Sequence, residues 1–253
     1  MRKILKKLLF VLSSIFLLAI IWTFTTSTVK NVQKTILVEE FKDKGVFQKE
    51  LSTEKIKFYK IESNEKKEAF ISYDGIIYPG TVGDIIVSTN NKLVNPVIGG
   101  LLSYTVGGHA CLVTKDYEDY QIDLDDDTCI EAIGLNENNN VASVFPRDFW
   151  DNHPVYREVI GLRVKMSDEE IDELISYAST LVGDPYNYSF LFNTDESSYC
   201  TDIISKSFKK IGYNLNKDSF ATTVYDLIVS SDTYISYYHY FDSEGVKHIY
   251  YLG

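Results

Sequence analysis

The chain has 253 residues and a mass of 28.9 kDa, with 45% hydrophobic and 24% charged residues, a composition that folds and is too apolar for a disordered chain. Twenty-five Lys and Arg stand against 36 Asp and Glu, a net charge of −11, so the cationic face that nucleic-acid binding needs is missing and that class is excluded. Three cysteines without C-x-x-C spacing are too few for a disulfide scaffold or a structural zinc site, and neither a metal nor a cofactor is expected.

The first segment carries Arg2, Lys3, Lys6 and Lys7, then Leu8–Phe24 runs for 17 residues without a charge. A basic flank before an apolar run predicts one transmembrane signal anchor over residues 8–24, with 1–7 cytoplasmic. A cleaved signal peptide is the alternative, and would make the protein secreted. Either way everything after Phe24 is placed outside the cytoplasm. That part carries 21 cations and 36 anions. Residues 25–50 are polar and mixed, read as a stalk, linker or juxtamembrane helix, and 51–253 as one globular domain.

Within that domain, short strands are expected at Lys55–Ile61, Ala69–Tyr73 and Gly83–Val87. Asn95–Gly108 is apolar and glycine-rich, a packed loop with a short helix. Strands at His109–Thr114 and Thr128–Ile133 flank an acidic turn at Asp116–Asp127. A strand at Val159–Val164 leads to Ser167-Asp168-Glu169-Glu170, a capping box. The helix that follows carries Ile171, Leu174, Ile175, Ala178, Leu181 and Val182 on one face. A second helix spans about Cys200–Ile211, a short one Val224–Val229, and the tail holds tyrosine-rich strands. The fold class is α+β: a small, mostly antiparallel sheet with helices packed on it.

Three residues carry candidate chemistry. Cys200 starts a helix, where free N–H groups and the macrodipole favour a thiolate. His109 starts a strand after Gly107 and Gly108 and is the candidate base. If the strands of His109 and Glu131 pair antiparallel with these two residues opposite each other, Glu131 orients the imidazole. Cys111 then falls opposite Cys129, either as a disulfide or as two small buried side chains. Asp123, Asp125, Asp126 and Asp127 lack the EF-hand spacing and read as a solvated hairpin tip. His153, His239 and His248 lack metal-ligand spacing and read as surface or edge residues. The cluster Tyr234, Tyr237, Tyr238 and Tyr240 lines either a substrate groove or a half-buried strand.

Gly183-Asp184-Pro185-Tyr186, followed by Tyr199-Cys200-Thr201-Asp202-Ile203-Ile204, resembles the G-x-P-Y … C-(S/T)-x-(L/I)-(V/I) signature of NlpC-type papain-like hydrolases. The histidine precedes the cysteine. That order, with Gly83-Asp84-Ile85-Ile86, Gly108-His109-Ala110, Glu131-Ala132-Ile133-Gly134 and Ala221–Leu227, resembles the circularly permuted YiiX/YaeF-like branch. Gly108 stands where the family often has Ser, and the stretch between Tyr186 and Cys200 is long. The resemblance implies a permuted papain-like fold with Cys200 as nucleophile, His109 as base, Glu131 as orienting group and Tyr186 beside the nucleophile. Joined to the exported placement read from the first segment, it leads to the expectation of an extracytoplasmic, membrane-anchored cysteine amidase or peptidase, with peptides of the cell envelope as one candidate substrate. The alternatives are an acyl hydrolase or thioesterase for lipid-linked substrates, and a non-catalytic envelope-binding module.

Overall fold

A buried ion pair ties together the start of the domain's central strands. In the computed structural model, which describes residues 2–73, 75–89, 107–115, 128–134, 141–142, 150, 156–189, 194–217 and 221–253, Arg163 meets Asp84 through two hydrogen bonds. Nε and Nη2 each donate across 2.8 Å, and Asp84 is fully buried. The remaining guanidinium hydrogens reach Glu65 Oε2 at 2.9 Å and the carbonyls of Lys67 and Glu68 at 3.0 and 2.7 Å. A bidentate pair of this kind fixes orientation as well as energy.

Among the described residues eleven strands follow in chain order: β1 (Val46–Phe47), β2 (Ile56–Ile61), β3 (Phe70–Tyr73), β4 (Ile76–Pro79), β5 (Ile85–Ser88), β6 (His109–Val113), β7 (Cys129–Ala132), β8 (Val141–Ala142), β9 (Glu158–Val164), β10 (Thr233–Phe241) and β11 (Lys247–Leu252). Nine of them form one sheet in the order β1-β2-β11-β10-β9-β5-β6-β7-β8, and β3–β4 is a separate hairpin. The large sheet is antiparallel except where β11 runs parallel to β2. It is wider than the small sheet expected, because both ends of the domain contribute strands to one side of it.

Among the described residues the helices are α1 (Arg2–Lys42), α2 (Asp168–Thr180), α3 (Cys200–Lys210) and α4 (Val224–Val229). The capping box at Ser167 and Glu170 is formed as expected: Ser167 Oγ accepts from the Glu170 N–H, and Glu170 Oε2 accepts from the Ser167 N–H. Strand alternation divides the core. Ile85, Val87, Ala110, Leu112, Ile130 and Ala132 pack with Leu174, Ala178, Ile203, Ile204, Phe208 and Leu227 of the helices. On the other face Ile86, Cys111, Val113 and Cys129 pack with Ala69 and Ile77 around the hairpin, and with Trp150 and Tyr156.

Of the β10 tyrosines, Tyr234 and Tyr240 are half-buried, and Tyr234 lines a cavity with Phe41 and Ile228. Tyr237 and Tyr238 are both buried, one in each of these two cores. His239 is a correction to the sequence reading. It is fully buried, because β10 lies between β9 and β11, and its Nδ1 is 2.9 Å from the Tyr237 hydroxyl. His248 is partly exposed and stacks on Tyr240. The loop at 95–106, the acidic stretch 116–127 with Asp123, Asp125, Asp126 and Asp127, and His153 lie outside the described residues.

Of residues 25–50, expected as a stalk, linker or juxtamembrane helix, 25–42 belong to α1. Residues 25–42 continue the helix of the apolar run and dock on the domain. Val38 and Phe41 enter the main core, Lys34 Nζ donates to Glu158 Oε1 at 2.6 Å, and Lys30 pairs with Asp226. Earlier in the helix, Leu9, Phe10, Leu12, Ile15, Leu17, Leu18, Ile21 and Trp22 stand more than half exposed. Among the described residues no helix is long and apolar enough to cross a membrane; the side chains of 8, 16, 19 and 20 are not among them.

Removing one partner of a buried ion pair strands the other charge, at a cost of about 3–5 kcal/mol. Asp84→Ala is therefore expected to lower the unfolding free energy in urea by that amount. Glu62→Ala, at an exposed pair with Lys60, is expected to change it by about 0–1 kcal/mol. Equal effects of the two substitutions would contradict the role assigned to Arg163.

Candidate active site

Cys200 is the first residue of α3, preceded by Tyr199 as an extended N-cap whose side chain makes no capping hydrogen bond. The four leading N–H groups of a helix have no acceptor within it, so the thiol sits at the electropositive end of α3. Two contacts fix that end. Thr201 Oγ1 donates to the Thr222 carbonyl at 2.7 Å. Upstream, the Asn187 and Ser198 N–H groups donate to the Ser198 and Pro185 carbonyls, each at 3.0 Å. This ladder sets Tyr186 beside the strand that leads into Cys200.

His109 opens β6, which is held by β5 with Ser88 opposite His109. Its Nε2 meets Glu131 Oε2, and its ring also hydrogen-bonds with the Cys200 side chain. The structure thus brings Cys200, His109 and Glu131 together. The route differs from the one expected. β6 and β7 pair Val113 with Cys129 and Leu112 with Ile130, and that register continued puts Cys111, not His109, opposite Glu131. The shift is two residues, so every side chain keeps its face, and the Glu131 carboxylate reaches the imidazole diagonally. Cys111 and Cys129 are diagonal neighbours rather than a direct pair; neither is in a disulfide, and both are fully buried.

One contact of the site is absent from the sequence reading. Trp150 is buried and stacks flat on the His109 ring, with centroids 5.6 Å apart and planes within 5°. Tyr156 stacks in turn on Trp150 at 4.4 Å. The imidazole is therefore held on its face as well as by Glu131 and Cys200. The signal in the sequence is slight: Trp150 is the only tryptophan beyond the N-terminal apolar run.

Tyr186 lies against Gly134, where a Cβ would come within 2.8 Å of its ring, so glycine is required there for the ring to approach. Tyr188 donates its hydroxyl hydrogen to the Gly134 carbonyl and meets Tyr186 edge to face at 4.8 Å. Asn187 is buried and its Oδ1 accepts from the Ser189 N–H at 3.0 Å; it braces the loop. Gly107 is needed for its backbone conformation and for the approach of α4. Its φ is +86°, and a Cβ there would lie 2.6 Å from Val224 Cβ, so the close neighbour is α4 rather than the imidazole.

The electrostatics follow from burial and pairing. Burial alone would lower the His109 pKa, but the Glu131 carboxylate and the hydrogen bonds to Cys200 and Glu131 outweigh it and raise it to about 10. Burial, with the Cys200 sulfur nearby, pushes the Tyr186 phenol above its ordinary range, so it stays protonated. Asp202, one turn into α3, is pushed up to about 6 by burial, against the pull of Lys206. Among the described residues no group of three or more His, Cys, Asp or Glu could hold a metal ion.

No curated protein matches the chain. Among solved structures, the crystal structure of the metalloprotein yiiX from Escherichia coli O157:H7 is similar, at 13% identity over 61% of this chain and 95% of that one, with a TM-score of 0.46. A family model described as permuted papain-like amidase enzyme, YaeF/YiiX, matches residues 81–235, which hold Cys200, His109, Glu131 and Tyr186 and make up more than half of the sequence. On that match, the chain belongs to the permuted papain-like amidase family, YaeF/YiiX.

Proposed function

We propose that this protein is a membrane-anchored cysteine amidase or peptidase whose site faces outside the cytoplasm. The observation that carries the reading is the imidazole of His109, which touches Cys200, Glu131 and Trp150 at once at the start of α3. Cys200 is the nucleophile, and a thiolate is the attacking species. With Nε2 engaged by Glu131, Nδ1 is the ring nitrogen left for the thiol.

The thiolate attacks an amide carbonyl, and the tetrahedral oxyanion is stabilised by the Cys200 N–H with Tyr186 beside it. The C–N bond breaks as the His109 imidazolium gives its proton to the leaving amine. Water, deprotonated by the now neutral His109, then attacks the thioester and releases the acid and the free thiol. Glu131 holds the ring's tautomer and its charge. Trp150 fixes the ring plane.

The anchor is argued from Leu8–Phe24 and the exposed apolar side chains of α1. Peptides of the cell envelope are the substrates such a placement would meet. The same helix favours a second reading, an acyl hydrolase or thioesterase for lipid-linked substrates. Docking of α1 begins at the buried Ser27, three residues after the apolar run ends, so the domain has no long stalk between it and a bilayer. Parallel assays with a peptide amide and a long-chain acyl thioester separate the two.

Three outcomes test the reading. Iodoacetamide at mildly acidic pH, mapped by mass spectrometry, is expected to label Cys200 first, with Cys111 and Cys129 protected by the core; equal labelling of all three in folded protein would sink the assignment. His109→Ala is expected to lose the roughly 100- to 10,000-fold that general acid–base catalysis supplies, while Glu131→Gln keeps a weakened enzyme. Full activity of either variant would exclude the acid–base role of His109 or the orienting role of Glu131.

The third outcome concerns stability. The folded protein holds the His109 proton up to about pH 10, and the unfolded chain releases it near 6.5. The native state binds more protons between those values, so this contribution is complete below about pH 6.5 and is lost as pH rises through 10. The urea-midpoint gap between wild type and Glu131→Gln should shrink over that window; a gap that widens with pH would refute the charge assignment.

A further inference from the structure

The segment Thr222–Asp226 touches both arms of the candidate site and the anchor helix. Towards the nucleophile, the Thr222 carbonyl accepts from Thr201 Oγ1, next to Cys200, at 2.7 Å. The buried Thr222 Oγ1 lies 2.9 Å from Ser205 Oγ on α3 and accepts from Asn216 Nδ2 at 3.0 Å. Towards the histidine, Val224 packs on Gly107, two residues before His109, so tightly that no Cβ fits between them. Towards α1, Asp226 Oδ1 takes the ammonium of Lys30. The other oxygen, Oδ2, accepts from the N–H and hydroxyl of Thr223 at 2.8 and 2.6 Å. Asn31 Nδ2 reaches the Tyr225 hydroxyl at 3.5 Å.

Asp226 thus divides its carboxylate between the anchor helix and the turn that carries Thr222. Unlike Lys30, the second docking lysine, Lys34, reaches Glu158 on β9, which Thr89 and Tyr238 also contact. It makes no such link to Thr222–Asp226.

Resting on the cysteine-hydrolase reading, we infer that Lys30 and Thr222 are positioning residues for the Cys200–His109 pair, so that docking of the anchor helix on Asp226 sets the geometry of the site. The path is Lys30, Asp226, Thr223, Thr222, Thr201, Cys200, with the Val224–Gly107 contact as a branch to His109. Displacement of a reacting group by about 1 Å can cost roughly 100-fold in rate, so a small shift of Thr222 is enough.

The test uses the full-length chain in detergent micelles, with iodoacetamide as thiol probe and a p-nitrophenyl ester as chromogenic substrate. Lys30→Met is expected to slow Cys200 alkylation at mildly acidic pH about 10-fold or more. It should lower kcat about 10- to 100-fold with little change in KM. Lys30→Arg should restore most of the rate, and Lys34→Met should leave the alkylation rate close to wild type. Thr222→Ser, which keeps a hydroxyl and the carbonyl, should retain function, whereas Thr222→Val should behave as Lys30→Met. Unlabelled Cys111 and Cys129 report an intact core in each variant. The inference is overturned if Lys30→Met keeps the wild-type alkylation rate, or if Lys34→Met changes it as much. A wild-type Cys200 that iodoacetamide labels no faster than Cys111 and Cys129 would instead overturn the hydrolase reading beneath it.

Discussion

Arg163 organises the route by which the chain delivers its histidine. The guanidinium is buried, and its partners all fall in the stretch from Glu65 to Asp84. That stretch contains the β3–β4 hairpin and ends at the residue before β5. Once Asp84 is fixed, its carbonyl accepts from the Val113 N–H and the Val113 carbonyl accepts from the Gly83 N–H, both at 2.9 Å. The ladder then runs from Leu112 opposite Ile85 to His109 opposite Ser88. An uncompensated charge in that interior would cost several kcal/mol, so the pairing holds the register of β5, and through it the height at which the imidazole stands.

The sequence made local structure legible wherever the cause was local. The capping box of α2, the start of α3 at Cys200 and the limits of α4 were readable because each is set by neighbours within a turn. Strand alternation gave the shared face of His109, Cys111, Cys129 and Glu131, but not their pairing, since any even shift satisfies the same pattern. The pairing is fixed elsewhere, where the Thr114 N–H donates to the Thr128 carbonyl. His239 was misread for a related reason. Polar and aromatic residues mixed along β10 look like an edge strand, and its burial comes from β11, beyond it, and from the loop at Tyr156.

The same limit hid Trp150 and the docking of α1. A lone tryptophan carries no period, and its value lies in a ring 41 residues earlier in the chain. Residues 25–42 show no strong apolar stripe, because the contacts that seat them are divided between Val38 and Phe41 and the cations Lys30 and Lys34. In a chain of net charge −11, those cations are committed to specific carboxylates. Asp202 with Lys206 and Asp84 with Arg163 follow the same pattern. Acidic excess is left to the surface, and the ion pairs of the interior and of the helix seams are made by a few placed cations.

The unbroken helix from Arg2 to Lys42 has a geometric corollary. Each residue of an α-helix advances the chain by about 1.5 Å and turns it by about 100°. The exposed apolar half and the docked half are therefore held at one fixed angle to each other about the helix axis. One residue inserted between Phe24 and Ser27 would swing the first half by more than a quarter-turn about the helix axis while lifting it only slightly. The spacing between these two halves is thus constrained by phase far more than by length, and changes of three or four residues are the ones that would come close to preserving it.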